Sequence, residues 1–455
     1  MTELSEDVLL EIFDAYRQLY ASEPRYENIW NSRDGWFKLT HVCRIWRRLV
    51  HLSPSRLHVH LLCTPYRSSK ALLLRKLPQF PILFDYRLAK WTKREVNLAL
   101  AALEHRSRVR GISLGTRLYT GIVTTKVFGA LTHPFPELES LEVGSSLRDF
   151  MIPTTSLLGS ASCLRRLKLQ VDKPSSLSPL LSTVTGLVEL ALTLRVFIDK
   201  SPEKSLIAVL HRMPCLRRLE LRLRHLRISD IPRPPARTEN IVPLPNLMEF
   251  VFTGHHIFLE ALVAGLAAPS LQHLHVWLVG GKTFTFPIPH LCKFVCDTDN
   301  YFGLVRLEFW GSGLRFTAET RPKSVHAFRI STRESISLEG IGDRLSGPIS
   351  TVEELQVVIG QKITTDEIRS VQWHGFFNHL PQVKVLRVPW QMALDVAHSF
   401  QQNGQEPAMD ILPDLGQINM DMTYWHPPPV AISDVFEPLI AARKKVGRPI
   451  TLSLT

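Results

Sequence analysis

The sequence predicts a mixed α-β chain: a short helical module at the front, then an irregular α/β solenoid built on a curved parallel sheet. Three observations carry that expectation. Two segments within the first 55 residues place apolar side chains at helical spacing. From residue 109 onward one short apolar template returns along the chain, mostly at intervals of 20 to 34 residues. Apolar residues make up 45% of the 455 and charged residues 21%, enough to form a sizeable core.

The first helix is expected over about residues 5 to 20. Ser5 can cap it, and Glu6 and Asp7 complement the free N–H groups of its first turn. Leu9, Ile12, Phe13, Tyr16 and Tyr20 then recur as one apolar stripe. Asn31 to Gly35 reads as a turn. A second helix follows, with Trp36, Leu39, Cys43, Trp46 and Val50 on its stripe, Arg44, Arg47 and Arg48 off it, and Pro54 at its end. Two helices this short cannot bury two aromatic-rich faces by themselves, so the surplus needs a partner.

The repeat region follows the pattern apolar, two variable, apolar, one variable, apolar. It is clear at Val109/Ile112/Leu114, Leu138/Leu141/Val143, Leu164/Leu167/Leu169, Leu187/Leu190/Leu192, Leu216/Leu219/Leu221, Leu247/Phe250/Phe252 and Leu271/Leu274/Val276. It continues more weakly at Leu291/Phe294/Cys296, Leu304/Leu307/Phe309, Val325/Phe328/Ile330, Val352/Leu355/Val357, Val383/Leu386/Val388 and Leu415/Ile418/Met420. The alternating end of each instance is a short strand with one buried face. Helical returns fit Ser205 to Met213 and His256 to Leu266. One unit cannot bury its own apolar side, so neighbours must stack, as in leucine-rich repeats. The 13-residue interval from 291 to 304 is too short for a strand and a returning helix, which suggests a hairpin or a degenerate repeat. Pro232 to Pro245 and Pro427 to Pro429 read as loops. The expected organisation is a helical module over 1–60, a basic connecting segment and cap over 61–108, and the solenoid over 109–455.

By strand parity, the face opposite the core carries Arg166, Lys168 and Gln170, then Arg218, Glu220 and Arg222. His273, His275 and Trp277 follow, then Arg306, Glu308 and Trp310, and Arg387. Arginine and tryptophan are favoured at protein-recognition sites, which makes this face the candidate target surface.

Charge and cysteine usage narrow the class. The net charge of +12 is concentrated over residues 61–130, where 13 basic and 3 acidic side chains give +10. That segment includes Arg67, Lys70, Arg75, Lys76, Arg87, Lys90, Lys93, Arg94, Arg106, Arg108 and Arg110, with Tyr66, Tyr86 and Trp91. It could attract an acidic protein or track a nucleic acid backbone. The acidic N-terminus is unlike a secretory signal, and the longest apolar stretch, Phe258 to Ala268, is too short for a membrane span and contains Glu260. Six scattered cysteines without a CxxC pair read as reduced thiols of the cytosol or nucleus.

No catalytic constellation emerges, and neither a metal nor a cofactor is expected. Gly280-Gly281-Lys282-Thr283 lacks the earlier glycine of a phosphate loop, because Val276 stands there. His290, Cys292 and Cys296 lack a zinc-knuckle spacing and a second pair, and Cys296 falls on an inward template position. His255-His256 has no HExxH continuation, and Arg443-Lys444-Lys445 reads as an exposed helix end.

Leu4-Ser5-Glu6-Asp7-Val8-Leu9-Leu10-Glu11-Ile12-Phe13, followed by Leu39-Thr40-His41-Val42-Cys43-Arg44-Ile45-Trp46-Arg47-Arg48-Leu49, resembles an F-box, in particular those of mushroom-forming fungi. Ser53 to Leu57 and Leu62 to Pro65 extend that resemblance, which covers residues 4–65. Ser5 stands where the family has proline, and the link Ala21 to Gly35 is longer than in a minimal box. The resemblance implies a non-catalytic adaptor that docks a Skp1-like protein of a cullin–RING ubiquitin ligase. Leu4, Leu9, Ile12, Phe13, Val42, Cys43 and Trp46 would form or support that docking surface, while the repeats hold a target protein. The alternatives are a repeat scaffold uncoupled from ubiquitin transfer, or a nucleic-acid-binding protein using residues 61–130.

Overall fold

The computed structural model describes residues 4–21, 38–54, 56–57, 60–63, 74, 76–86, 93–115, 126–127, 129–144, 158–171, 181–194, 202–223, 241–279, 288–296, 302–310, 313–320, 327–332, 338–360, 373–402, 406–407, 410–422 and 432–454. The chain divides into two compact units: Met1–Asp172 with Ser176–Leu192, and Lys173–Ser175 with Thr193–Thr455. The expected turn at 31–35, the Gly280 to Thr283 segment, most of the Pro232–Pro245 loop and the Pro427–Pro429 run lie outside the described residues.

The first unit opens with α1 (Glu6–Ala21) and α2 (Arg44–Leu52). Ser5 Oγ accepts from the Val8 N–H at 3.4 Å, so the serine caps α1. The second helix starts later than its apolar spacing suggests. Residues 40–42 form a turn, and Cys43 is the N-cap, its Sγ accepting from the Trp46 N–H at 3.5 Å. Cys43 is thus an exposed cap, not a member of a continuous stripe.

A sheet follows in the order β1 (Leu61–Cys63), β2 (Ile82–Tyr86), β3 (Val109–Leu114), β4 (Ser140–Val143), β5 (Arg166–Val171) and β6 (Glu189–Leu194). The registered pairs from β1 to β5 are parallel. The sheet therefore begins before residue 109. β1 and β2 escape the template because they are almost continuously buried, with no regular polar alternation. α3 (Lys93–Glu104) buries Val96, Ala99, Ala102 and Leu103 at helical spacing.

The second unit contains β7 (Arg218–Leu223), β8 (Val242–Pro243), β9 (Glu249–Gly254), β10 (Leu266–Ala267), β11 (His273–Leu278), β12 (Leu304–Trp310), β13 (Gly313–Glu319) and β14 (Ala327–Thr332). It continues with β15 (Glu354–Ile359), β16 (Val385–Pro389), β17 (Gln401–Gln402), β18 (Glu406–Pro407), β19 (Gln417–Asp421) and β20 (Thr451–Leu454). Its sheet runs β7-β9-β11-β14-β13-β12-β15-β16-β19-β20, with small separate pairs β8–β10 and β17–β18. Among the described residues its helices are α4 (Pro202–Leu210), α5 (His256–Val263), α6 (Pro289–Cys296), α7 (Leu338–Ile349), α8 (Trp373–Phe377), α9 (Ala393–Ser399) and α10 (Ile432–Lys445). Successive helices from α4 to α10 pack side by side.

The template has a local physical meaning. Its first apolar residue ends a tight turn: the N–H of Leu216, Leu247, Leu271, Val352, Val383 and Leu415 each bonds the carbonyl three residues before it. The next residues then bond the preceding repeat, as when the N–H groups of Gln272 and His273 share the Met248 carbonyl. Lys384 and Val385 share Glu353 O in the same way. The first residue is buried by the turn and the later two by the strand pleat, which fixes the apolar-x-x-apolar-x-apolar spacing.

Two expectations fail in this unit. Leu291/Phe294/Cys296 is not a strand but part of α6, where Leu291, Cys292, Phe294 and Val295 are buried and Cys296 is exposed. Buried Glu260 of α5 accepts from the His290 and Leu291 N–H groups at 2.9 and 2.8 Å, satisfying the start of α6. The irregularity suspected at 291–304 lies later. β12, β13 and β14 form an antiparallel meander, with β14 parallel to β11 and β12 parallel to β15.

The 443–445 run is also only partly exposed. Arg443 is fully buried and donates to the carbonyls of Ile411, Leu412 and Pro413, while Lys444 and Lys445 face solvent. Gly447, at φ +75°, lets α10 end with the Gly447 N–H on Lys444 O and the Arg448 N–H on Arg443 O.

Candidate functional site

The residues singled out from the sequence lie on the two leading helices of the first unit and on the sheet faces of both units. In the first unit, Phe13 is 1% exposed and meets Trp46 edge-on, with ring centroids 4.8 Å apart. Leu9 and Phe13 are therefore buried supports, and half-buried Trp46 packs across from them. What remains uncovered is aliphatic: Leu4 58%, Val8 45%, Ile12 41%, Val42 58% and Ile45 53%, with Leu52 68% apart at the end of α2. Leu4 lies just before α1, and Val8 and Ile12 stand one and two turns further along, so they share a helix face.

Carboxylates of α1, two of them flanking that aliphatic set, are held by arginines. Arg56 reaches Asp7 at 3.4 Å and Glu11 at 3.1 Å, and Arg48 reaches Glu6 at 3.6 Å. Such exposed pairs add little stability, but they orient the helix with its carboxylates turned toward Arg48 and Arg56. Arg47 Nε donates to Thr40 O at 2.8 Å and fixes the turn that carries Val42. Val8 and Ile45 lie outside the set read from the sequence. Their signal is the Leu4-Val8-Ile12 step of four, hidden beside the more conspicuous Leu9-Phe13 stripe.

In the basic segment, Arg108 and Arg110 are committed to the fold, while Lys76 and Lys126 face solvent. Arg108 donates to the carbonyls of Leu74, Leu77 and Phe80, and Tyr86 is buried in β2, stacked on Phe84. Arg110 pairs with Glu137 and Glu139. Arg67, Lys70, Arg75, Arg87, Lys90, Tyr66 and Trp91, and the side chains of Lys93 and Arg94, lie outside the described residues.

On the sheets, parity places the candidate residues on the face opposite the core. Arg166 and Lys168 of β5 are exposed, as are Arg218 and Arg222 of β7 and Arg306 of β12. Glu220, His273, His275, Trp277, Glu308 and Trp310 are partly exposed on the same pattern. Many of these charges are neutralised, three across neighbouring strands and one, Arg222 with Glu220, within β7. Lys168 pairs with Glu142 at 2.8 Å, Arg218 with Glu249 at 3.3 Å, Arg222 with Glu220 at 2.5 Å and Arg387 with Glu354 at 2.6 Å.

In the second unit, Trp277 and Trp310 come together although they lie on β11 and β12. Their rings stack with centroids 6.2 Å apart. Arg315 of β13 lies over the Trp310 ring at 4.6 Å and pairs with Glu308 at 2.6 Å. Arg315 carries no signal in the sequence because β13 lacks the template, whereas Arg329 holds the same outward spacer position as His275 in a weaker instance, outside the set read from the sequence. His275 faces Arg329, Glu249, His273 and Arg218. Burial first, and then Arg329, push its pKa down, so the imidazole is held neutral.

Other titratable groups serve the interior. His256, stacked on His255, is lowered to about 4 by burial and by that neighbour. Burial raises the Cys292 thiol to about 12, leaving it protonated. Among the described residues no group of three metal-ligating side chains converges, and no helix is long and apolar enough to cross a membrane.

No protein-family model matches the chain, and no curated protein matches it. Among solved structures, a chain from the yeast Rad7 and Elc1 complex aligns at 14% identity and a TM-score of 0.35, over 94% of this chain and 92% of that one. A protein from Bacteroides fragilis aligns at 10% identity and a TM-score of 0.22, over 85% and 68%. Likenesses this weak carry no argument about the activity of this chain.

Proposed function

We propose that this chain is a non-catalytic substrate-recognition adaptor of an SCF-type ubiquitin ligase. It would dock a Skp1-like protein through Leu4, Val8, Ile12, Val42 and Ile45, and hold a target protein on the open face of its repeats. The carrying observation is that Phe13 is buried against Trp46 while Leu4, Val8, Ile12, Val42 and Ile45, in and beside α1 and α2, stay uncovered. They do so within the segment whose sequence resembles an F-box. An uncovered aliphatic set of this kind marks an interaction site.

The contribution to ubiquitin transfer is proximity. One surface is fixed to the ligase and the other to the target, so target lysines meet the charged conjugating enzyme at high effective concentration. The bond chemistry belongs to the other subunits. Coexpression with Skp1 and co-purification tests this reading: the wild-type chain should retain Skp1, and Ile12→Asp with Val42→Asp should release it while the circular dichroism spectrum is unchanged. Failure of the wild-type chain to retain Skp1 would favour the uncoupled scaffold.

A further inference from the structure

The open face of the second unit holds six described arginines, on β7, β12, β13, β14 and β16, and they fall into two groups. Arg218, Arg222, Arg315 and Arg387 each sit within 3.3 Å of a carboxylate. Arg306 and Arg329 have no carboxylate partner among the described residues. Strand register puts these two on either side of one residue: Arg306 is opposite Thr317, and Thr317 is opposite Arg329. His275 is next in the same row, opposite Arg329.

Thr317 is only 3% exposed although its β13 position faces the open side, because the long side chains flanking it rise on both sides. Ser331 is 2% exposed for the same reason, standing between Trp277 and Arg315 in the adjacent row. Short hydroxyl residues thus floor a shallow trough whose walls are guanidinium and indole. Arg329 Nε and Arg315 Nε are buried in it without a hydrogen-bond partner among the described residues. A buried donor left unpaired is costly unless something fills it.

We infer that this trough binds an extended peptide through an oxyanion side chain held between Arg306 and Arg329, with an apolar side chain two residues away against Trp277 and Trp310. The occupant is set by charge complementarity. Two forked cations lacking an internal partner fit a carboxylate or a phosphate, and both forks can be bidentate. The spacing is set by the strands. Thr317 and Arg315 are two residues apart on β13, about 7 Å, which is also the separation of alternate side chains in an extended peptide. The inference deepens the target-surface reading and does not depend on the coupling to Skp1.

The test uses the full chain and three fluorescein-labelled glycine-serine peptides with leucine at one position. The residue two positions later is phosphoserine, glutamate or serine. Fluorescence anisotropy should show the phosphoserine and glutamate peptides binding at least ten-fold more tightly than the serine peptide, less so at high salt. Arg306→Gln with Arg329→Gln should abolish the preference, and Trp277→Ala should weaken both anionic peptides about equally. A phosphoserine-only preference assigns the anion to a modified residue; equal preference assigns it to carboxylate as well. Equal binding of all three peptides, absence of binding, or a preference that survives the arginine double variant would overturn the proposal. Each variant is also scored for Skp1 retention, which should be unchanged, so loss of peptide binding and loss of ligase docking are read separately.

Discussion

Replacing Val42 with aspartate separates a docking contact from a folding contact. Full burial of an aliphatic side chain is worth about 1.5–3 kcal/mol. Val42 keeps 58% of its surface open, so covering the remainder offers a partner about 1 kcal/mol. A carboxylate pressed against an apolar partner adds a desolvation penalty, bringing the expected loss to about 3 kcal/mol, or roughly 100-fold in affinity. The same change should leave the isolated chain's unfolding free energy within about 0.5 kcal/mol, since the site is a solvated turn. Phe13→Ala should behave oppositely. Its ring is sealed against Trp46, so truncation should cost the fold about 3–5 kcal/mol. The assay is calorimetric titration of Skp1 into each purified variant, paired with urea unfolding. If Val42→Asp bound Skp1 as tightly as wild type, or unfolded as readily as Phe13→Ala, the assignment of Val42 to an open docking surface would be refuted.

Three further outcomes concern the interior. Arg443→Met should cost about 3 kcal/mol in urea unfolding, because it removes donors from the carbonyls of Ile411, Leu412 and Pro413 in a buried site. Gly254→Val should cost about 2 kcal/mol, since even its first added carbon would stand 2.7 Å from Leu223 Cδ1 at the end of β9. His256 titrates near 4 in the folded chain against 6.5 unfolded, so the unfolded state binds the extra proton between those values. Stability present above pH 6.5 should therefore fall as pH drops toward 4, by about 1–2 kcal/mol after allowance for solvent screening, and His256→Asn should flatten that slope.

The strand pleat was legible in the sequence because alternation has one physical cause, a half-buried surface. Leu167, Leu169 and Val171 point inward and Arg166 and Lys168 outward, as their spacing requires. The Leu291 segment misled because apolar-x-x-apolar also satisfies a helix. Pro289 at a first helical turn and the adjacent buried pair Phe294-Val295 were the better indicators. β13 was hidden because its neighbours are antiparallel and it lacks the turn that sets the template's first leucine. At the target surface, parity found Trp277 and Trp310 separately but could not bring them together. Their stacking depends on strand order, which skips from β11 to β14. Ion pairing likewise depends on register, so only the structure distinguishes Arg306 from Arg218.

The β12–β14 meander bears on how such an array can grow. Where a regular repeat contributes one strand, this one contributes three, and an odd number restores the original chain direction. β15 can therefore resume the same polarity, and the helices after it return to the side they left. Lengthening by a whole hairpin is thus topologically silent for every later repeat, whereas a single extra strand would invert them all. Insertions in pairs give the array a way to widen one stretch of its surface while the scaffold on either side keeps its pattern.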